Sequence, residues 1–179
     1  VLTLRVNRQK VTRDGFLEQL RTAGIVSRAT TVSPVVVVLE EGRAVPTIPG
    51  FQDGLFYVED EAAQLIAPLL DPQPGERVLD TCSAPGGKTA QLAALMRNRG
   101  EIIALDRSAE RLQLIEENCR RLGISIVRTI RADVTKSLPA AVCGPFDRIL
   151  VDAPCSGLGV LRRHPEGKWR KEAGALAQH

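Results

Sequence analysis

Residues able to do chemistry gather at two places in the 179-residue chain, each directly after an apolar run. The first is Cys82-Ser83-Ala84-Pro85-Gly86-Gly87-Lys88-Thr89, a glycine-rich turn that follows Val78-Leu79-Asp80. Two adjacent glycines let the backbone approach a ligand closely, because neither carries a Cβ. Carboxylates recur after later apolar runs: Asp106, twenty residues beyond Gly86, then Asp133 and Asp152. The second place is Asp152-Ala153-Pro154-Cys155-Ser156-Gly157, which sets a carboxylate and a thiol three residues apart.

Three readings compete for the glycine-rich turn. A triphosphate-binding loop needs glycine where this chain has Cys82, so that reading fails. The Gly-x-Gly-x-x-Gly of a dinucleotide fold is absent. A plain connecting turn would explain the glycines alone, but not carboxylates at three successive strand ends. Several acids without a phosphate-reading motif suit a cationic, phosphate-free nucleoside, with Asp106 spaced to accept from both ribose hydroxyls. S-adenosylmethionine, a sulfonium carrying an amino acid, is the predicted cofactor.

The Pro154-Cys155 pair points to thiol chemistry on a ring carbon. Amino-methyltransferases of this kind carry Pro-Pro and an aromatic at the corresponding place, where no covalent step is needed. Cytosine C5 is a poor nucleophile in an aromatic ring. Adding a thiolate at C6 breaks the aromaticity and makes C5 enamine-like, and loss of the C5 proton later expels the thiolate. The competing reading of Cys155 is a small buried apolar residue, as a lone cysteine usually is. That reading weighs more for Cys82, Cys119 and Cys143, although Cys82 can lend its backbone to the cofactor loop.

These residues need a scaffold, and the hydrophobic pattern supplies one. Runs at Val78-Leu79-Asp80, Ile102–Leu105, Ile126–Ile130 and Arg148–Val151 alternate with helical stretches at Thr89–Arg97 and Ala109–Leu122. Apolar strands separated by amphipathic helices predict an α/β fold: a Rossmann-like parallel sheet with ligands beyond the strands' carboxyl ends. Residues 58–179 are assigned to this domain, cut before its sheet is complete. Residues 1–57 read as a small, RNA-facing α+β subdomain. Leu2, Leu4 and Val6 alternate with Thr3 and Arg5, the period of a half-buried strand. Thr12 or Asp14 caps a helix that carries Phe16, Leu17, Leu20 and Ala23 and stops at Gly24, and Val35–Leu39 suits a strand. Glu61–Leu70 reads as a helix broken by Asp71-Pro72-Gln73-Pro74-Gly75.

The totals set bounds. A chain of this length buries roughly 70% of its unfolded surface and needs no staples. Aromatic residues are 3% of the sequence, so aliphatic side chains are predicted to fill the core. A net charge of +3 permits a nucleic-acid partner without demanding one. The four cysteines show no Cys-x-x-Cys spacing, which argues against a metal site and for free thiols in a reducing cytoplasm. No apolar run reaches the length of a membrane span. Both ends read as cuts in a longer protein.

With these motifs in hand, the chain resembles the bacterial small-subunit (16S) ribosomal RNA cytosine-C5 methyltransferase B family, also called Fmu or Sun. The shared stretches are Leu4-Arg5-Val6-Asn7, Ala84–Thr89, Asp152–Ser156, and Arg162-Arg163-His164-Pro165 with Lys168-Trp169. The resemblance implies a class I S-adenosylmethionine-dependent methyltransferase. Its cofactor would be lined by Cys82, Ser83, Ala84, Pro85, Gly86, Gly87, Lys88, Asp106, Arg111, Asp133 and Asp152. Asp152 and Pro154 would lie next to the flipped cytosine. Pro-Cys is where DNA cytosine methyltransferases keep their nucleophile. In the RNA family the nucleophile instead sits in a Thr-Cys motif on a later strand, which would fall after His179. Cys155 would then assist release of the adduct, and the chain alone would be inactive. Arg162, Arg163, Lys168 and Arg170, interleaved with Trp169, would contact RNA. Many family members also carry an all-helical RNA-binding domain, after which this chain would begin.

Two departures stand out: Thr81-Cys82-Ser83 replaces the more usual Leu-Cys-Ala, and Glu59 stands where relatives commonly have Gln. Two other functions stay open. One is a non-catalytic RNA-binding or ribosome-assembly protein on the same scaffold, for which the absence of a later Thr-Cys would speak. The other is a DNA cytosine methyltransferase, which leaves residues 1–57 and the Arg-Arg-His-Pro segment unexplained.

Overall fold

The computed structural model describes residues 2–153. Two four-stranded sheets organise them. The first contains β1 (Leu2–Val6), β2 (Ser27–Ala29), β3 (Val36–Leu39) and β4 (Phe56–Val58), in the order β2-β3-β1-β4. All its pairings are antiparallel. The predicted division after residue 57 falls inside β4. Helix α1 (Arg13–Thr22) is capped by Thr12, whose side chain accepts from the Gly15 amide. It lays Phe16 and Leu20 onto Leu4, Val6, Val37 and Leu39. Aliphatic side chains do not fill this core alone: Phe16 and Phe51 both pack on Phe56, with ring centres 5.4 and 5.8 Å away.

β1 departs from the half-buried strand that its alternation predicts. Leu4 and Val6 face the core, yet Arg5 on the opposite face is only 7% exposed. Its partner lies in the segment leading to the second sheet, so both faces of the strand are covered.

The second sheet contains β5 (Arg77–Asp80), β6 (Glu101–Asp106), β7 (Val127–Arg131) and β8 (Arg148–Leu150). All are parallel, in the order β7-β6-β5-β8. This is the predicted α/β class with a Rossmann-like sheet. Chain order runs outward from β5 through β6 to β7, then reverses to place β8 on the other side of β5. The reversal makes the carboxyl ends of β5 and β8 a topological switch point, where open α/β sheets bind ligands. Val78, Ile102 and Leu150 share one face with Leu92, Ala93 and Met96, while Leu79, Ile103 and Leu105 share the other with Val142.

Helix α3 (Gly87–Leu95) starts two residues earlier than predicted, because Gly86 turns the chain at φ 100°. Helix α4 (Ala109–Leu122) opens at Ser108, whose side chain accepts from the Arg111 amide, and ends at Gly123. The helix predicted over Glu61–Leu70 is a 3-10 turn at Ala63–Leu65 followed by the short α2 (Ile66–Leu70). Pro68 has no N–H to donate, which limits a continuous helix there.

The units meet where the loop before β4 crosses the end of α4. Asn7 Nδ2 donates to the carbonyls of Gly54 and Leu122, both at 2.9 Å. Arg121 Nη1 donates to those of Phe51 and Phe56 at 2.8 and 3.0 Å. A Cβ on Gly54, at φ +68°, would lie 1.9 Å from the Arg121 carbonyl oxygen. Gly54→Ala is therefore expected to cost about 2–4 kcal/mol, from overpacking against backbone plus the left-handed conformation. Urea unfolding measures this, and a loss below about 0.5 kcal/mol, the usual scatter of surface changes, would contradict it.

Candidate active site

A cleft of about 230 Å³ opens at the carboxyl end of β5. The glycine-rich loop forms one wall, through Cys82, Ser83, Ala84, Pro85, Gly87 and Lys88. Tyr57, Val58, Glu59 and Asp60 form another, and Asp80 and Asp152 complete it.

The loop is woven into the sheet. The Ser83 backbone N–H and hydroxyl both donate to the Leu105 carbonyl, at 2.9 and 2.8 Å. The Thr81 hydroxyl donates to the Leu150 carbonyl at 3.1 Å. Gly86 packs toward Ile115 of α4, where an added Cβ would lie 3.2 Å from its side chain. The loop is thus tied to the ends of β6 and β8, the strands flanking β5.

Asp80 was read from the sequence only as a strand residue, although it obeys the same strand-end rule that singled out Asp106. It is 1% exposed. Oδ2 accepts from the Thr89 hydroxyl at 2.7 Å, whereas Oδ1 has no hydrogen-bond partner. Burial pushes its carboxyl up to about 6, Asp152 adds to the rise, and the Thr89 hydroxyl, Lys88 and the Cys82 backbone N–H oppose it. A buried carboxylate oxygen without a donor is costly, and a positively charged donor would relieve that cost.

Lys88 Nζ lies 2.7 Å from Asp152 Oδ2. Among the described residues it is the only lysine or arginine lining the cleft, against Glu59, Asp60, Asp80 and Asp152. Burial raises the Glu59 carboxyl, while Arg5 and Lys88 oppose the rise. Such a lining favours a ligand with a cationic group.

Asp106 stands outside this cleft, at the end of β6, and is 6% exposed. Its Oδ1 accepts from the Ser108 amide at 2.9 Å, and Oδ2 lies 3.6 Å from Arg111 Nη1. Arg111 Nη2 donates to the Ala84 carbonyl at 2.6 Å, which links Asp106 to the glycine-rich loop. Asp133 lies beyond β7 and accepts from the backbone and hydroxyl of Thr135, which hold its carboxyl below the ordinary range. It does not line the cleft. Pro154, Cys155, Arg162, Arg163, Lys168 and Arg170 lie outside the described residues.

Cys82 is half-buried and lines the cleft. Cys119 sits in the core, where burial pushes its thiol up to about 11, so it stays protonated and unreactive. Among the described residues no group of three or more His, Cys, Asp or Glu could hold a metal ion. None of their helices is long and apolar enough to cross a membrane. A larger hollow, about 990 Å³, lies near Val32, Leu65 and Leu95. None of the described residues lining it is a carboxylate, so the smaller cleft is the better site for a cation.

The donor set fits S-adenosylmethionine. An unpaired buried carboxylate oxygen and a net-acidic cleft match its amino-acid end, and Asp106 lies a short way along the sheet edge for a ribose.

Known proteins agree with this architecture. Residues 67–179 match the family described as 16S rRNA methyltransferase RsmB/F. Residues 1–46 match its ferredoxin-like domain. The ribosomal RNA small subunit methyltransferase B of Pseudomonas syringae pv. tomato is 45% identical over 98% of this chain and 39% of its own. The crystal structure of PH0851 superposes with a TM-score of 0.92 at 31% identity, over 99% of this chain and 40% of that one. A methyltransferase homolog protein from Pyrococcus horikoshii superposes at 0.78 with 33% identity, over 90% and 53%. The chain spans about two fifths of the length of the curated relatives it matches.

Proposed function

The chain belongs to the 16S rRNA methyltransferase RsmB/F family, and from that membership we propose that it serves methylation of a cytosine C5 in small-subunit ribosomal RNA. S-adenosylmethionine is the cofactor, and when bound it supplies an electrophilic methyl on a positively charged sulfur. The observation that carries the reading is the acid-lined cleft at the switch point, with the Asp80 carboxylate buried at its base.

Each residue of the site has a task in this reading. Asp80 accepts from the ligand's ammonium group. Lys88, exchanging its Asp152 partner, meets the ligand's carboxylate. The cleft is smaller than the roughly 300–1,000 Å³ of whole-ligand pockets, so it takes one end of the molecule. Asp106, steadied by Ser108 and Arg111, accepts from the ribose hydroxyls, and Asp133 flanks the base. Asp152, once released by Lys88, turns to the target cytosine beside Pro154.

A thiolate adds to cytosine C6 and moves electron density onto C5, readying it to accept the methyl. Removal of the C5 proton then re-forms the C5–C6 double bond and expels the thiolate. The attacking thiol is assigned to a Thr-Cys motif beyond His179, and Cys155 to the expulsion step. Arg162, Arg163, Lys168 and Arg170 hold phosphates. Ribosomal RNA as substrate places the protein in the cytoplasm.

Methyl transfer by the complete protein into unmodified ribosomal RNA, followed by mapping of the modified base, tests this reading. The expected product is 5-methylcytosine. RNA binding without methyl transfer would favour an assembly role instead. In the complete protein, Cys155→Ala is expected to stall as a covalent protein–RNA adduct, seen as a retarded band on a denaturing gel. A variant that turns over normally and traps nothing would reject the release role.

A further inference from the structure

We propose that the N-terminal sheet is a working part of the cofactor site, with Arg5 as a positioning residue that fixes the glycine-rich loop at Gly87. The inference rests on the placement of the cofactor at residues 82–88 proposed above.

The strand period explains why Arg5 points where it does. Leu4 and Val6 fill the core beneath α1, so the residue between them faces the second sheet. A buried guanidinium is costly unless it is paired and hydrogen-bonded. Arg5 meets both requirements with one nitrogen: Nη1 pairs with Glu59 Oε2 and also donates to the Gly87 carbonyl at 2.8 Å. Both side chains are 8% exposed. The guanidinium also lies 5.4 Å from the Tyr57 ring centre.

Other contacts brace the same stretch. The Tyr57 hydroxyl donates to the Pro85 carbonyl at 3.4 Å. A Cβ on Gly87 would stand 2.8 Å from Glu59 Oε1 and 3.0 Å from a Tyr57 ring carbon. Beyond Glu59, its carbonyl accepts from Gln64 Nε2 at 2.8 Å, and the Gln64 carbonyl from Gln91 Nε2 at 2.6 Å, which reaches α3. The loop is therefore gripped from two sides. Arg111 holds Ala84 from α4, and Arg5 holds Gly87, the neighbour of Lys88, from the other unit. A shift of the N-terminal sheet is felt at the backbone that carries Lys88.

The test must separate positioning from stability. Arg5→Met alone strands the Glu59 carboxylate in the interior. Arg5→Met with Glu59→Met removes both charges, an exchange that often leaves stability unchanged or improved. This double variant of the full chain is expected to melt near the parent temperature. It should nonetheless bind S-adenosylhomocysteine about fivefold to thirtyfold more weakly by calorimetry, the scale of one lost hydrogen bond; because Glu59 also lines the cleft, Arg5→Lys, which keeps that carboxylate, must lose affinity as well. Should it not fold, Arg5→Lys decides. A lysine keeps the charge beside Glu59 but is one atom shorter, so it is expected to lose about threefold to tenfold in affinity at an unchanged melting temperature. Parent-like affinity in the folded double variant, or failing that in Arg5→Lys, overturns the proposal. Asp106→Ala is measured alongside. If it too binds like the parent, the cofactor placement falls and the positioning role with it; if it binds weakly, only the positioning role falls.

Discussion

Asp106→Ala is expected to weaken S-adenosylmethionine binding by about 10- to 100-fold, the value of one or more charge-assisted hydrogen bonds. Asp106 is buried at the end of β6, and one of its oxygens is already oriented by the Ser108 amide. A carboxylate fixed in this way accepts ribose hydroxyls without paying to order itself. The alanine also strips Arg111 of an ion-pair partner, and Arg111 holds the Ala84 carbonyl. Asp106→Asn separates these effects. It keeps an oxygen for Ser108 and loses the charge, and is expected to bind about tenfold more weakly. Calorimetry reads both variants, and unchanged affinity in Asp106→Ala would contradict the assignment.

Acid should weaken binding steeply, through Asp80. In the ligand-free protein, burial lifts this carboxyl from 3.8 to about 6. A raised acid favours the folded state only while it is protonated. Its contribution to stability is therefore fully present below about pH 4 and is lost as pH rises through about 6. Ligand binding has the opposite sign. A cationic ammonium group favours ionised Asp80, so binding releases a proton between these values. Affinity should rise by up to about tenfold per pH unit and level off above pH 6. Titrations in buffers of different ionisation heat count the proton directly. Asp80→Asn should flatten the profile and bind weakly at pH 7. A profile in the parent protein that is already flat from pH 4 to 7 would exclude Asp80 from the site.

How much of this was legible before the fold was known depended on the range of the interaction. The parallel sheet, α3 and α4 followed from apolar runs and caps that lie within a few residues of one another. The place of the glycine-rich turn directly after β5 followed from the apolar run before it, whereas its contacts with the ends of β6 and β8 did not. β2 and β4 escaped notice: each is three residues long, and β2 carries no apolar run to mark it. The helix over Glu61–Leu70 was overextended across a 3-10 turn and Pro68. Arg5 looked like the solvent side of a strand because its partner Glu59 is 54 residues away, beyond any local pattern. Glu59 was noticed only as a departure from the usual Gln. The buried state of Asp80 depends on packing by Thr89 and the cleft, although its place at a strand end was in plain view.

Those long-range contacts brace the cleft from two sides, and they bear on which hollow the cofactor enters. A crystal structure of the chain with S-adenosylhomocysteine bound tests this most directly. The expected result places its amino-acid end between Asp80 and the loop of residues 82–88, with its ribose at Asp106. Electron density in the larger hollow near Leu65 and Leu95, with the acidic cleft empty, would contradict it.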